Sequence, residues 1–426
     1  MIKSLRKKSE VIWTGLTYLF QLIGSLILLK VLTMILSHRE YGEYNLLVSI
    51  SQLLLIVFFS PLNQAAGRYS KIYHTTISTF FYLKKNYFNI NKSILLLAFV
   101  CSLVFFSFSI KQTAIIILLT AIASYFDIGK EFFNSIFHID RQRKKLFTVV
   151  VIVSITRIII PVALFIGFSL TLSGVLLGWI VSSVIGYFIF LYAFNSEYQT
   201  DNYELVDIGT KDNIKGFAKY FGVLSLFLWI QMWLDRWIIN GFLGGEEVGM
   251  YAPFSQIGSA YFTGISGVLM MFYTPIFYEM VNKTKNNIGV IEVKKYIKKF
   301  IYKYIGISLI GLLFVFSMRK FIFTLLLGQE FRDEANVFIF LCVGWLLFNL
   351  GQLQATSIHV TGRIKNLLIP NVLSGIISII LNLILISNSG IQGAAYGFLG
   401  ANVIRCLLLY YYENKSWHQF SKQFIE

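Results

Sequence analysis

Acidic residues are few in this chain: 21 Asp and Glu stand against 37 Lys and Arg in 426 residues, and charged residues of all kinds make only 14%. A water-soluble domain carries about 25%, so a chain this poor in charge cannot cover a water-facing surface. Cysteine is also scarce. Cys101, Cys342 and Cys406 all sit inside apolar runs, are odd in number and include no C-x-x-C, which excludes a disulfide framework and a zinc knuckle. The five histidines, His38, His74, His138, His359 and His418, form no H-E-x-x-H, and the sequence holds neither a P-loop nor a G-x-G-x-x-G. Those absences remove the usual signatures of zinc, nucleotide and dinucleotide chemistry. No metal site and no cofactor is expected.

What is present is apolar. Hydrophobic residues make 56% of the chain and the mean hydropathy is +0.68. The solvent that suits such a chain is a bilayer. The first apolar run, from Val11 to Leu36, is too long for the roughly 7–15-residue core of a secretory signal and lacks a small-residue cleavage site. It reads as a retained first helix. The runs place spans at 11–36, 41–66, 93–110, 113–138, 147–168, 171–194, 216–243, 248–279, 300–318, 335–360, 366–387 and 391–412. Each is near or above the ~20 residues that cross a hydrocarbon core. The expectation is an all-α polytopic membrane protein of about twelve spans.

Sorting the Lys and Arg that lie between spans gives 27 on one side and five, Arg39, Lys111, Arg319, Lys320 and Arg332, on the other. Positive charge gathers on the cytoplasmic side, so both termini are expected in the cytoplasm. The positive charge is thereby explained by topology and by anionic lipid headgroups, and no nucleic acid is expected as a partner. The sequons at Asn91, Asn282 and Asn414 fall in what read as cytoplasmic loops and are taken as chance.

The two halves repeat. LSHREYGEY (Leu36–Tyr44) and LGGEEVGMY (Leu243–Tyr251) share L-x-x-x-E-x-G-x-Y at an offset of 207. LSGVLLGWIVSSVI from Leu172 and IQGAAYGFLGANVI from Ile391 share G-x-x-x-G and a closing V-I at an offset of 219. Six spans per half and the same order within each predict parallel repeats: an N-terminal bundle at 1–194, a cytoplasmic linker at 195–215, and a C-terminal bundle at 216–426. Gly174, Gly178, Ser182 and Gly186 share one helix face, as do Gly393, Gly397 and Ala401; small residues at this spacing are read as helix packing.

Five cations fall within spans: Lys30, Lys130, Arg157, Arg236 and Arg405. Each costs about 2.5–3.5 kcal/mol at the bilayer centre on insertion scales, so most must face a partner or an aqueous cavity. Arg157 is deepest, roughly 15 Å from the cytoplasmic end of its span at 1.5 Å per residue, and Arg405 follows. Lys30 and Arg236 lie nearer the outer side and Lys130 nearer the inner. In the fourth span Asp127, Glu131, Asn134, His138 and Arg141 form one helix stripe, with Lys130 placed to pair with Asp127. In the tenth, Asn349, Gln352, Thr356, His359 and Arg363 form the matching stripe. The two stripes read either as the lining of a water-filled cleft or as interhelical polar contacts. Asp235 and Arg236 are adjacent, and neighbours on a helix point apart, so each is expected to need its own partner. Most of the 40 Phe and 24 Tyr are expected to face lipid or the interface.

These residues carry a resemblance. LTMILSHREYGEYNLLVSISQLLL, WLDRWIINGFLGGEEVGMYAPFSQI and SGIQGAAYGFLGANVI, taken in order along the chain, resemble bacterial polysaccharide exporters of the O-antigen flippase (Wzx) kind, within the multidrug/oligosaccharidyl-lipid/polysaccharide superfamily. The resemblance implies a V-shaped pair of six-helix bundles working by alternating access. It also implies a function: moving an undecaprenyl-pyrophosphate-linked oligosaccharide, an O-antigen or capsule repeat unit, from the cytoplasmic to the periplasmic leaflet of the bacterial cytoplasmic membrane. Arg157 and Arg405, then Lys30 and Arg236, become candidates for the diphosphate, with Asn134, His138, Gln352, Thr356 and His359 as further cleft residues. Asp127, Glu131 and Asp235 become candidates for a coupling ion. A polysaccharide polymerase and a chain-length regulator are expected partners, beside membrane lipids. Three alternatives are weighed. A multidrug cation exporter of the superfamily usually bears an acid in its first span, which here holds Lys30 instead. A peptidoglycan-precursor flippase has two further helices. A polytopic enzyme such as an O-antigen polymerase carries a long outer loop, and the longest here is about 319–334.

Overall fold

The computed structural model describes residues 2–65, 76–107, 111–198, 208–284, 286–332 and 335–424. Arg68, Lys71, Lys285 and residues 199–207 of the expected linker lie outside the described residues. Hydrocarbon offers no partner to a backbone N–H or C=O, so an apolar run of this length satisfies its own backbone as a helix. The elements are α1 (Ile2–Ile35), α2 (His38–Leu54), α3 (Thr76–Ser107), α4 (Lys111–Ile139), α5 (Arg143–Phe168), α6 (Leu172–Glu197), α7 (Ile208–Phe242), α8 (Gly245–Lys283), α9 (Asn287–Ser317), the short α10 (Arg319–Leu326), α11 (Ala335–Val360) and α12 (Leu368–Ser421). After α2 the chain continues helically through a π turn, Leu55–Phe59, to Ala65.

Eleven helices among the described residues are long and apolar enough to cross a membrane, the last running Ile364–Ser421. That last one breaks at Gly390 (φ 59°, ψ −140°), a left-handed backbone that favours glycine, so α12 is two arms, 368–389 and 391–421. With these arms counted separately, the membrane-length helices among the described residues number twelve, as the hydropathy predicts. The chain is an all-α, multi-pass membrane protein.

Several helices outrun their expected spans on the basic side. α3 begins at Thr76 and α9 at Asn287, so Lys84, Lys85, Lys92, Lys294, Lys295, Lys298 and Lys299 ride on helices rather than in loops. Asn286 caps α9 by accepting from the Gly289 N–H at 2.9 Å. The three sequons are corrected in the same way: Asn91, Asn282 and Asn414 all lie in helices, and Asn91 is buried with its amide donated to the Tyr125 carbonyl at 2.9 Å. Both polar stripes lose their last member. α4 stops at Ile139 and Arg141 turns the chain at φ 61°; α11 stops at Val360, short of Arg363. Hydropathy reports burial in lipid, not where hydrogen bonding ends, and helices continue past the membrane wherever no Gly or Pro interrupts them.

The chain forms two compact units. One contains residues 1–36 and 44–226, the other 37–43 and 227–426. The division thus falls within α7, and the α1–α2 corner belongs with the second unit. In the first unit, Ile214 of α7 is buried in an aromatic core with Phe59, Phe80, Tyr87, Phe132, Phe133, Phe137, Phe190 and Phe194. Phe137 and Phe190 stack at 5.4 Å. Many aromatics expected at the lipid face therefore build the core, because a helix bundle without a hydrophobic drive gains its cohesion from packing. α6 presses its glycine face on its neighbours: a methyl at Gly178 would meet the Pro161 ring of α5 at 2.6 Å. In the second unit, Phe277, Ile297, Phe300, Tyr304, Leu353 and Trp417 form the buried cluster among α8, α9, α11 and α12.

The repeated corner motif has a mechanical role within the second unit. A side chain on Gly42 would overlap the Gly245 carbonyl, and one on Gly249 would overlap the His38 carbonyl. Gly42 and Gly249 are the equivalent glycines of the two copies of the motif. Tyr41 adds a hydrogen bond to Gln256 at 2.8 Å, and its ring packs on Phe331 at 5.6 Å.

Candidate functional site

In the first unit the charges of α4 and α5 meet α2 and α6. Asp127 is buried. Its Oδ1 accepts from Lys130 at 2.5 Å and from Ser183 of α6 at 3.1 Å. Glu131 lies 3.9 Å from Lys130 and accepts from Asn134 at 2.9 Å. Gly186 makes room for this lysine, since a methyl there would meet its Cδ at 2.9 Å. Arg157 of α5 donates to the Tyr44 hydroxyl at 3.3 Å and lies over the Trp179 ring at 5.4 Å. Lys30 sits half-buried on α1.

Lower on α4, Asn134 and His138 line a cavity of about 160 Å³ together with Thr14, Thr17, Tyr18 and Gln21 of α1 and Arg143 and Leu146 of α5. Arg143 stands 2.5 Å from Nδ1 of His138. A guanidinium only donates, so this nitrogen accepts and the ring carries its proton on Nε2.

In the second unit, Asp235 and Arg236 of α7 are both buried and bond to each other, Nη1 to Oδ1 at 3.1 Å. This corrects the expectation that neighbours need separate partners. The guanidinium is long enough to fold back along the helix, where it also reaches the Met232 carbonyl at 2.8 Å and Ser255 at 3.3 Å. Tyr251 donates to the other oxygen of Asp235 at 2.6 Å. Gln231 turns away from Asp235 and donates to Ser374 of α12 at 3.0 Å.

Arg405 is 1% exposed. Its Nε donates to Asn371 at 3.3 Å, its Nη1 to the Phe348 carbonyl at 3.1 Å, and Nη2 finds no acceptor among the described residues. The face of Phe348 lies 4.8 Å away, and the absence of a side chain at Gly351 admits the guanidinium between the helices. Asn349 is tied to Ser266, Thr263 and the Trp345 carbonyl, so it acts as interhelical polar contact. Thr356 is buried and donates to the Gln352 carbonyl at 2.9 Å. Gln352 and His359 are half-buried.

The predicted residues are thus gathered into separate sets. Asp127, Lys130 and Glu131 form one, which Asn134 joins to the cavity it lines with His138, and Asp235 and Arg236 form another. Thr14, Thr17, Gln21, Ser183, Tyr44, Tyr251 and Asn371 were missed. For two of these a signal existed: Tyr44 and Tyr251 are the same position of the repeated corner motif, and each holds a membrane-embedded charged residue.

Residues 8–281 match the family model described as "Polysaccharide biosynthesis protein". Among proteins of curated function, none matches. The fold is that of several solved transporters. An inward-facing multidrug resistance MATE family transporter of the MOP superfamily superposes with a TM-score of 0.72 at 13% identity, over 94% of this chain and 96% of that one. The lipid II flippase MurJ in an inward closed conformation gives 0.64 at 14% identity, over 98% and 90%. A MOP superfamily transporter from Pyrococcus furiosus, described by the reverse polarity of its binding pocket, gives 0.67 at 12%, over 96% and 95%. With residues 8–281, more than half of its length, matched to the family model, the chain belongs to the polysaccharide biosynthesis protein family.

Proposed function

We propose that the protein flips an undecaprenyl-diphosphate-linked oligosaccharide from the cytoplasmic to the periplasmic leaflet of a bacterial cytoplasmic membrane, by alternating access, with both termini in the cytoplasm. It would hand its cargo to a polysaccharide polymerase and a chain-length regulator. One observation carries the reading. The membrane-embedded carboxylates Asp127 and Asp235 are each bonded to their own cation, Lys130 and Arg236. Arg157 and Arg405 are left with neutral hydrogen-bond partners, and no carboxylate ion-pairs with either among the described residues. A buried guanidinium without a counter-ion is costly, and a planar fork of donors suits a phosphate. A diphosphate would supply the missing charge while its lipid tail stays in the bilayer. Arg405 is closed off in the conformation described, so the cycle would have to uncover it. A cation exporter fits less well, because both of those acids are already neutralised.

The test is a pair of substitutions at each arginine in a strain deleted for the protein. Arg405→Gln and Arg157→Gln should accumulate in the membrane yet fail to restore surface glycan, and should fail to flip a fluorescent undecaprenyl-diphosphate saccharide in proteoliposomes. The Lys variants should keep partial activity, since they retain the charge and lose the fork. Full activity of both Gln variants at normal abundance would overturn the diphosphate-binding reading.

A further inference from the structure

Lys84, in the first unit, is surrounded by ring faces instead of acids. It lies on α3, about two turns from the helix start at Thr76, and is half-buried. Its Nζ is 4.7 Å from the ring centre of Phe194 on α6, 5.8 Å from that of Phe81 one turn back on α3, and 5.9 Å from that of Phe133 on α4. Among the described residues no hydrogen bond or ion pair reaches this ammonium. The carboxylates at the same end of the unit are engaged elsewhere. Asp140 accepts from Tyr198 at 2.6 Å and from Gln142 at 3.2 Å, and Glu197 is bonded to Lys145 and Gln142.

A ring face attracts a cation by about 0.5–2 kcal/mol, but it does not neutralise the charge. The three N–H donors of the ammonium stay open to an anion. The rings also keep water from its flanks, which strengthens its pull on negative charge. The next face of α3 repeats the arrangement. Tyr82 has the Nζ of Lys211, on α7, 5.8 Å from its ring centre, and the exposed Lys85 follows Tyr82 by three residues, on the same face. No carboxylate among the described residues is bonded to Lys84, Lys85 or Lys211. A patch with more than one unpaired positive charge fits a small head with more than one negative charge. Lysines meet phosphate as point charges, so a diphosphate is the ligand of this kind.

This patch and Arg157 cannot hold one diphosphate at the same time. α6 carries a contact of each: Trp179 lies under Arg157 and Phe194 under Lys84. Those two positions are roughly 22 Å apart along the helix at 1.5 Å per residue. A diphosphate therefore meets them in succession.

We propose that Lys84, with Lys85 and Lys211 beside it, is a docking site that takes the diphosphate of a lipid before the deep arginines do. On the proposed orientation this is the cytoplasmic end of the first unit, where the cargo enters. The proposal rests on the reading of the protein as a flippase of a lipid-linked diphosphate, and it adds a separate binding step to that cycle. A phosphodiester headgroup such as that of phosphatidylglycerol shares the phosphate chemistry but carries a single charge, and the test separates the two.

Full-length protein in phosphatidylcholine nanodiscs is treated with a water-soluble amine-acetylating reagent, and acetylation of Lys84 is timed by peptide mass spectrometry. Farnesyl diphosphate, a short lipid diphosphate, should slow it several-fold, and phosphatidylglycerol at the same molar fraction should not. In proteoliposomes, Lys84→Gln should raise the half-saturating concentration of a fluorescent undecaprenyl-diphosphate saccharide about ten-fold, the loss expected for one charge-assisted contact. Its maximal rate should stay unchanged, and Lys84→Arg should stay close to the parent in both. A lysine that only holds the rings together would lower the melting midpoint without moving the half-saturating concentration. Equal slowing by phosphatidylglycerol, no slowing by farnesyl diphosphate, or an unchanged half-saturating concentration in Lys84→Gln would each overturn the proposal. The acetylation arm uses the parent protein, so it decides even where Lys84→Gln fails to fold. Flipping by a protein whose Lys84 is not protected removes the docking site and leaves the flippase. Protection of Lys84 in a protein that flips nothing leaves the site and counts against the flippase.

Discussion

Asp235 and Arg236 show what a buried charge needs from its surroundings. Their side chains are 4% and 5% exposed, and the carboxylate holds both the guanidinium and the Tyr251 hydroxyl. Removing one member of a buried pair strands the other, at a cost of about 3–5 kcal/mol. Asp235→Asn should therefore lower the thermal midpoint and the membrane abundance sharply. Asp235→Asn with Arg236→Gln should recover most of both, since no lone charge remains. Tryptophan-fluorescence melts of the three proteins in detergent decide this, and a single variant as stable as the parent would show that the pair is not a fold element. Arg405 should behave in the opposite way. It has no carboxylate to strand, so Arg405→Gln should melt near the parent temperature while transport is lost.

The two helical corners are the elements where sequence and packing agree most closely. Gly42 and Gly249 each lie against a backbone carbonyl of the facing segment, and a carbonyl in a helix start has little freedom to give way. Alanine at either position should cost about 1–3 kcal/mol through overpacking, visible as a lower melting midpoint. Gly15→Ala and Gly167→Ala, where nothing lies within 4 Å of the added methyl, are the controls and should be neutral or slightly stabilising in a helix. Gly390 adds a different constraint. Its φ of 59° strains any side chain, so Gly390→Ala should cost about 1–3 kcal/mol and disturb the break between the arms of α12. An unchanged midpoint in Gly42→Ala or Gly249→Ala would mean that the corner relaxes at no cost.

At the scale of the whole molecule the charge distribution makes the prediction. With 27 basic residues assigned to one side and five to the other, alkaline phosphatase fused after Gly245 or Ser389 should be active, and fused after Lys283 inactive. The kink at Gly390 makes Ser389 the informative site, because a single unbroken helix across 368–421 would leave it inside the membrane. An inactive fusion at Ser389 would mean that the two arms do not form separate crossings. On the proposed orientation the basic helical extensions of α3 and α9 would lie at the cytoplasmic surface, where anionic headgroups could meet Lys84, Lys85, Lys294 and Lys295.

The sequence by itself determined the helices, their number and the repeat, because insertion into lipid is decided segment by segment from local hydropathy. It also marked the corner glycines and the two tyrosines, since a motif kept at an offset of 207 points to a shared geometry. It singled out Arg157 and Arg405 by depth alone. Only the tertiary structure decided which charges are satisfied: that Lys130 goes to Asp127, that Arg236 folds back on its neighbour, and that Arg405 meets an amide, a carbonyl and a phenyl ring. It alone brought Thr14, Thr17 and Gln21 of α1 to Asn134, His138 and Arg143, more than a hundred residues away. Pairing between distant helices depends on their rotation and on the space left by residues such as Gly186 and Gly351, and no local property of the chain encodes that.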